Sequence, residues 1–148
     1  PSNRSLKKKG TTMMKPIPWK EQFSVGVKEI DRQHQGLLDI INKIIDSIEK
    51  ENAWESTKPI IDSLIHYAYN HFATEEQYMI KVHYPELSEH IQLHLNFIKR
   101  VFELSLKVSQ NGPEIQQELL KFVAGWYYEH VLGIDRKYMP YLAEKGIT

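Results

Sequence analysis

None of the 148 residues is cysteine. Disulfides, iron–sulfur clusters and thiolate zinc sites are therefore excluded, and a reducing cytoplasm is the compartment expected. The first twelve residues hold no apolar run, so they form neither a secretion signal nor a membrane span. No Gly/Ser/Pro-rich linker interrupts residues 19–148, which leaves no seam for a second domain. The balance of 19 basic and 19 acidic residues hides an asymmetry. Arg4, Lys7, Lys8 and Lys9 lie in the polar start PSNRSLKKKGTT, which has no acidic residue. Setting those four aside leaves 15 basic against 19 acidic residues, or about −4 over 13–148. A mildly acidic domain does not bind nucleic acid, which requires a basic face. Residues 1–12 read as a flexible leader or cloning scar, and 13–148 as the folded domain.

What remains is helical. No convincing period-two strand occurs, and apolar residues recur at helical spacing throughout. After the extended FSVGV lead-in, a first helix is predicted from about Asp31, with Ile30, His34, Leu37, Leu38, Ile41, Ile45 and Ile48 on one stripe. The polar stretch EKENAWES ends it. A second helix is expected from about Ser56 to Lys81, placing Pro59 in its first turn, where proline is tolerated. Its stripe is Leu64, Ala68, His71, Phe72, Glu75, Tyr78 and Met79. Pro85 can open a third helix carrying Leu87, His90, Ile91, His94, Phe97, Ile98, Val101, Leu104 and Val108. In QNGP, Gly112 suits a helix-ending position and Pro113 the first turn of a fourth helix. That helix carries Leu119, Phe122, Val123, Trp126, His130 and Ile134, and the tail KYMPYLAEKG follows. Short connections between long amphipathic helices favour an all-α, up-down-up-down antiparallel four-helix bundle, with an extended N-terminal arm and a short C-terminal tail.

Five of the seven histidines (His34, His71, His90, His94 and His130) fall on these apolar stripes, at least one per helix. His66 lies five residues before His71, roughly 140° away around a helix, and His83 lies in the VHYP turn; both read as surface residues. Glu75 shares a face with His71 in HFATE. Asp135 follows His130 by five residues in HVLGID, a spacing that misplaces it by roughly 140° in a regular helix. It reaches the same face only if the helix ends or widens to a π-type turn near Gly133.

Buried imidazoles need partners. Tyr78 and Tyr128 can serve one or two rings, but not five, and Glu75 would still be a buried charge needing compensation. A metal satisfies all seven groups together. One ion rarely takes seven such ligands, whereas two octahedral ions sharing bridging carboxylates can. With a bridging hydroxide, five terminal nitrogens and three bridges fill all but one position of the pair. Imidazole suits iron, zinc, copper and nickel alike, so ligand type alone does not select the metal.

The ordered set WKEQFSVGVKEIDRQH, HFATE, HIQLH and HVLGID resembles the hemerythrin family in its bacterial single-domain form, over residues 19–148. The resemblance implies a non-haem centre of two iron ions, oxo- or hydroxo-bridged. His90, His94 and His130 would hold one iron and His34 and His71 the other, with Glu75 and Asp135 bridging. Dioxygen would then bind reversibly at the open iron, for storage, delivery or sensing. Reversible binding calls for a dry pocket, and Leu37, Phe72, Trp126 and Val131, each near a ligand, offer one. Where the family usually has leucine after the tryptophan, this chain has Tyr127. Its hydroxyl could recruit water or pass a proton, its ring could gate oxygen, or it could only pack.

Two other classes compete. A ferritin-like di-iron enzyme, with oxidase, peroxidase or nitrogen-oxide activity, uses Glu-x-x-His motifs, and no glutamate here has histidine three residues on. The other is an iron-holding or sensor module. The expectation is an oxygen binder rather than an enzyme, with at most weak side activity. It is expected to be a cytoplasmic monomer whose partner is dioxygen, with no membrane association. A separate redox or signalling protein is the remaining kind of partner.

Overall fold

The computed structural model describes residues 15–50, 53–108, 110 and 112–148. The leader expected over 1–12 lies outside them, as do residues 51 and 52 of the EKENAWES stretch. Four long helices carry the fold: α1 (Lys28–Ile48), α2 (Ala53–Lys81), α3 (Leu87–Lys107) and α4 (Gly112–Trp126). A short α5 (Met139–Glu144) lies in the tail, and no strand occurs among the described residues. α1 packs on α2 and α4, α2 on α3, and α3 on α4, so sequence neighbours are also neighbours in space around an up-down-up-down bundle.

Several boundaries differ from the periodicity reading. α1 starts at Lys28 rather than Asp31. The reason is local: Asp31, one turn in, accepts from the Val25 backbone N–H at 2.8 Å and from the Ser24 hydroxyl, tying the lead-in to the helix start. Gly26 makes the intervening bend at φ +82°, a conformation that favours glycine. α2 begins at Ala53, so Pro59 sits in its second turn, not its first. Pro85 precedes α3, which opens at Leu87. Gly112 opens α4 rather than closing α3, which ends at Lys107. The arm is held against α1 by a reciprocal pair: Ile17 N–H donates to Asn42 Oδ1 at 2.7 Å, and Asn42 Nδ2 returns to Ile17 O at 3.0 Å.

The interior divides into two apolar clusters. One contains Leu37, Phe72, Phe97, Tyr127 and Val131; the other contains Ile30, Met79, Tyr84, Tyr138 and Leu142. His34 falls between Ile30 and Leu37 along α1, and Glu75 between Phe72 and Met79 along α2. A polar layer is thus sandwiched between two dry ones.

Candidate metal centre

Seven residues fill that layer. His34, His71, Glu75, His90, His94, His130 and Asp135 are all buried, none more than 2 % exposed. α1 contributes His34, α2 the one-turn pair His71 and Glu75, and α3 the one-turn pair His90 and His94. His130 and Asp135 arrive through a change of helical pitch. Beyond Trp126 the chain widens into a π-turn over Tyr127–Val131, in which Leu132 N–H donates to Tyr127 O at 3.2 Å, five residues back. A 3₁₀ segment, Ile134–Tyr138, follows. The extra residue per turn returns Asp135 to the face of His130, with Oδ1 3.0 Å from His130 Nε2.

Each carboxylate faces two ways. Glu75 Oε1 lies 3.2 Å from His34 Nε2 and 3.3 Å from His71 Nε2, while its Oε2 lies 3.1 Å from His94 Nε2 and 3.6 Å from His90 Nε2. Asp135 Oδ2 lies 3.2 Å from His34 Nε2, while Oδ1 lies 3.0 Å from Nε2 of both His90 and His130. The ligand atoms therefore form two groups, each within 4.8 Å internally. One is His34, His71, Glu75 and Asp135; the other is Glu75, His90, His94, His130 and Asp135. Both carboxylates belong to both groups.

The donor set fits metal ions better than it fits itself. His71 Nε2, His94 Nε2, Glu75 Oε2 and both Asp135 oxygens are buried without a hydrogen-bond partner, although their neighbours stand close enough. His34 Nε2 pairs with Glu75 Oε1 and His130 Nε2 with His90 Nε2, which leaves these other atoms free to serve a third group. Separations near 3 Å are also those of adjacent ligand atoms around an ion that holds each at about 2.1 Å. Unpaired buried groups of this kind each cost about 1–3 kcal/mol, and a cation removes that cost.

Protonation reflects the same crowding. Burial pulls the His34 and His90 pKa down, but the close carboxylates of Asp135 and Glu75 outweigh it and raise both to about 9. Burial and Glu75 push Asp135 up, yet His130 and His34 bring it to about 2. Burial likewise acts upward on Glu75, while His71, His34 and His90 hold it well below the usual carboxylate range. Without metal, the raised pKa of His34 and His90 favours protons on those two rings beside the two carboxylates.

Aromatic and aliphatic side chains cover the layer. Phe72 stacks on His94 at 3.8 Å and Trp126 on His130 at 4.1 Å between ring centroids. Leu37, Phe72, Tyr127 and Val131 are buried and Trp126 is half-buried, all within the larger apolar cluster. The Tyr127 ring meets Phe23 edge-on at 6.1 Å, and its hydroxyl is buried with no partner. Burial first, and the carboxylates of Asp31 and Asp135 among its charged neighbours, raise its pKa, so it stays protonated.

His66 and His83 are exposed and stand outside the layer. So do Tyr78 and Tyr128, weighed above as ring partners: Tyr78 donates to Glu29 at 2.6 Å, and Tyr128 is half exposed. Tyr138 instead reaches the layer, its hydroxyl donating to Glu75 Oε1 at 3.0 Å. The periodicity reading missed it because helical phase is lost across the π-turn. It also missed Gln33, whose Oε1 lies 2.6 Å from His71 Nδ1.

A four-helix bundle with a buried layer of five imidazoles and two shared carboxylates defines a metal-binding bundle protein. The chain belongs to the hemerythrin family: the model described as "Hemerythrin HHE cation binding domain" matches residues 25–142. It is 34% identical to a bacteriohemerythrin of Clostridium acetobutylicum over 82% of this chain and 97% of that protein. Identity to a bacteriohemerythrin of Methylococcus capsulatus is 30%, over 82% and 92% respectively. Among solved structures it is similar to a leucine-to-tyrosine mutant of a hemerythrin, with TM-score 0.78, 29% identity, and coverage of 88% of this chain and 99% of that one.

Proposed function

We propose that this protein binds dioxygen reversibly at a non-haem centre of two iron ions. The observation that carries the reading is the two-way presentation of Glu75 and Asp135, each turning one oxygen to the His34 group and the other to the His90 group. In this reading His90, His94 and His130 would hold one iron and His34 and His71 the other, with Glu75 and Asp135 shared between the two groups. Two reduced irons, when bound, would supply the electrons that reversible dioxygen binding requires. The His34–His71 group offers two imidazoles against three in the other, so an ion held there would have fewer protein ligands and be the one open to dioxygen.

The remaining work falls to this chain's own side chains. Leu37, Phe72, Trp126, Tyr127 and Val131 form an apolar cover that excludes water, the condition for release to outrun irreversible oxidation. Phe72 and Trp126, stacked on ligand rings, fix those rings in orientation. Burial and the charge of Glu75 raise the Tyr138 pKa well above its ordinary value, so its hydroxyl stays a donor that orients Glu75. Two carboxylates against five imidazoles support binding over oxidase chemistry, because few anionic ligands are present to stabilise highly oxidised iron. The active unit in this reading is a domain over 13–148 working in the cytoplasm. No helix of the described residues is long and apolar enough to cross a membrane.

Metal analysis of protein produced in iron-replete medium tests the centre. The expected content is two irons per chain, and a value of one, or none after mild handling, overturns the dinuclear reading.

A further inference from the structure

Gln33 joins the outer side of one ligand ring to a hydrogen-bond chain whose direction is fully determined. The chain begins at the backbone carbonyl of Asn70, which can only accept. The Thr74 hydroxyl therefore donates to it, at 3.0 Å. With its hydrogen so placed, Thr74 Oγ1 accepts from Gln33 Nε2 at 3.1 Å. That contact fixes which end of the amide is nitrogen and leaves Oε1 at 2.6 Å from His71 Nδ1. A carbonyl oxygen accepts, so Nδ1 carries the ring hydrogen and the lone pair lies on Nε2. His71 Nε2 faces the polar layer, 3.3 Å from Glu75 Oε1.

Three of the other four rings lack this support among the described residues. Nδ1 of His34, His90 and His94 is buried without a hydrogen-bond partner. The Glu76 carboxylate stands 3.5 Å from His94 Nδ1 as an ion-pair neighbour only. Gln33 itself is clamped: the Tyr67 hydroxyl donates to its backbone carbonyl, and the Tyr67 ring stacks on His71 at 5.5 Å and 21°. Gly36 makes this clamp fit, since an added Cβ there would stand 3.3 Å from the Tyr67 ring. The assembly also floors a surface cleft of about 290 Å³ lined by Gln33, Ser63, His66, Tyr67, Asn70 and His71. Solvent in that cleft competes for the Nδ1 hydrogen whenever the amide is absent.

We propose that Gln33 is a positioning residue for the His34–His71 half of the centre. Through Thr74 and the Asn70 carbonyl, it holds His71 in the tautomer and orientation that present Nε2 to metal. This half has the fewer imidazoles, so the ordering of His71 weighs most on retention of its ion. The proposal rests on the di-iron reading, and the iron content of the parent protein tests that reading separately.

The experiment compares the iron-loaded parent with Gln33→Leu, Thr74→Val and Thr74→Ser. Two quantities are read: the rate at which a chelator withdraws iron, and the paramagnetically shifted N–H proton resonances of the ligand imidazoles. Gln33→Leu is expected to speed loss of one of the two irons by about tenfold. It should also make one ring N–H exchange with solvent faster while the others keep their rates. Thr74→Val should move both readouts in the same direction by less, and Thr74→Ser, which keeps the hydroxyl, should restore parent behaviour. If Gln33→Leu does not fold, Thr74→Val against Thr74→Ser carries the test alone. Parent-like iron loss and N–H exchange in the folded variants overturn the proposal, as does an equal acceleration for both irons.

Discussion

A Cβ added to Gly133 would lie 2.5 Å from the backbone carbonyl oxygen of Glu129, closer than real Cβ atoms approach backbone. The glycine lets the chain pass tightly out of the π-turn, and Asp135 depends on that passage to reach its partners two residues later. Gly133→Ala must push the two strands of the turn apart. The expected result is a stability loss of about 1–3 kcal/mol by chemical denaturation, with iron retained poorly. An alanine variant with parent stability and iron content would mean that the tight passage does not position Asp135.

The carboxylates are expected to matter more than any single histidine. Glu75 and Asp135 each serve both ligand groups and are the two anionic side chains among the five imidazoles of the layer. Glu75→Gln or Asp135→Asn should abolish iron or its bridged spectroscopic signature. His66→Ala and His83→Ala, both at exposed positions, should leave iron content unchanged. Equal losses in all four variants would contradict the assignment of faces.

Tyr127 buries a hydroxyl that has no hydrogen-bond partner among the described residues. Removing an unpaired buried hydroxyl without changing the ring relieves desolvation cost, so Tyr127→Phe should raise metal-free stability by about 1 kcal/mol. Tyr127→Leu leaves part of the ring volume empty and should lower it by about 1–3 kcal/mol. In loaded protein, a proton-path role predicts slower autoxidation in both variants, whereas a gating role predicts changed oxygen rates in Leu alone. Stopped-flow oxygen kinetics and the decay of oxygen-binding capacity separate the two. Parent behaviour in both assigns Tyr127 to packing against Phe23.

Metal and acid should act in opposition. The folded pKa of His34 and His90 is about 9, above the ordinary 6.5. Their contribution to metal-free stability is therefore full below about pH 6.5 and lost as pH rises through 9. Asp135 at about 2 and Glu75 are lowered, so their contribution is present above the ordinary carboxylate range and lost as pH falls towards 2. The metal-free protein should be most stable between about pH 4.5 and 6.5. Iron needs neutral rings, so loading expels protons and tightens as pH rises. The gap in Tm between loaded and metal-free protein should widen from pH 6 to 9, and a constant gap would contradict the linkage.

Helical periodicity carried most of this in the sequence. His34, His71, Glu75, His90 and His94 sit on straight α-helix, where i, i+4 spacing and apolar neighbours determine the face. His130 and Asp135 were legible only as a conflict: a spacing of five that a regular helix cannot use, which the π-turn before Gly133 resolves. The supporting groups were not legible. Tyr138 follows a π-turn and a 3₁₀ segment, beyond which no single period predicts direction. Gln33 is next to a ligand in sequence and points about 100° away on the wheel, so only the approach of α2 shows what it meets. The boundary at Lys28 depended on side-chain contacts of Asp31 that apolar spacing does not encode.

The measurement that bears most directly on the account is a dioxygen titration of the anaerobically reduced, iron-loaded protein, followed in the visible spectrum. Absorbance is expected to rise to a plateau at one dioxygen per two irons. The signal should disappear on removing oxygen, over repeated cycles with no reductant added. A spectrum that appears once and cannot be reversed without reductant, or a plateau unrelated to iron content, would contradict reversible oxygen binding at a paired centre.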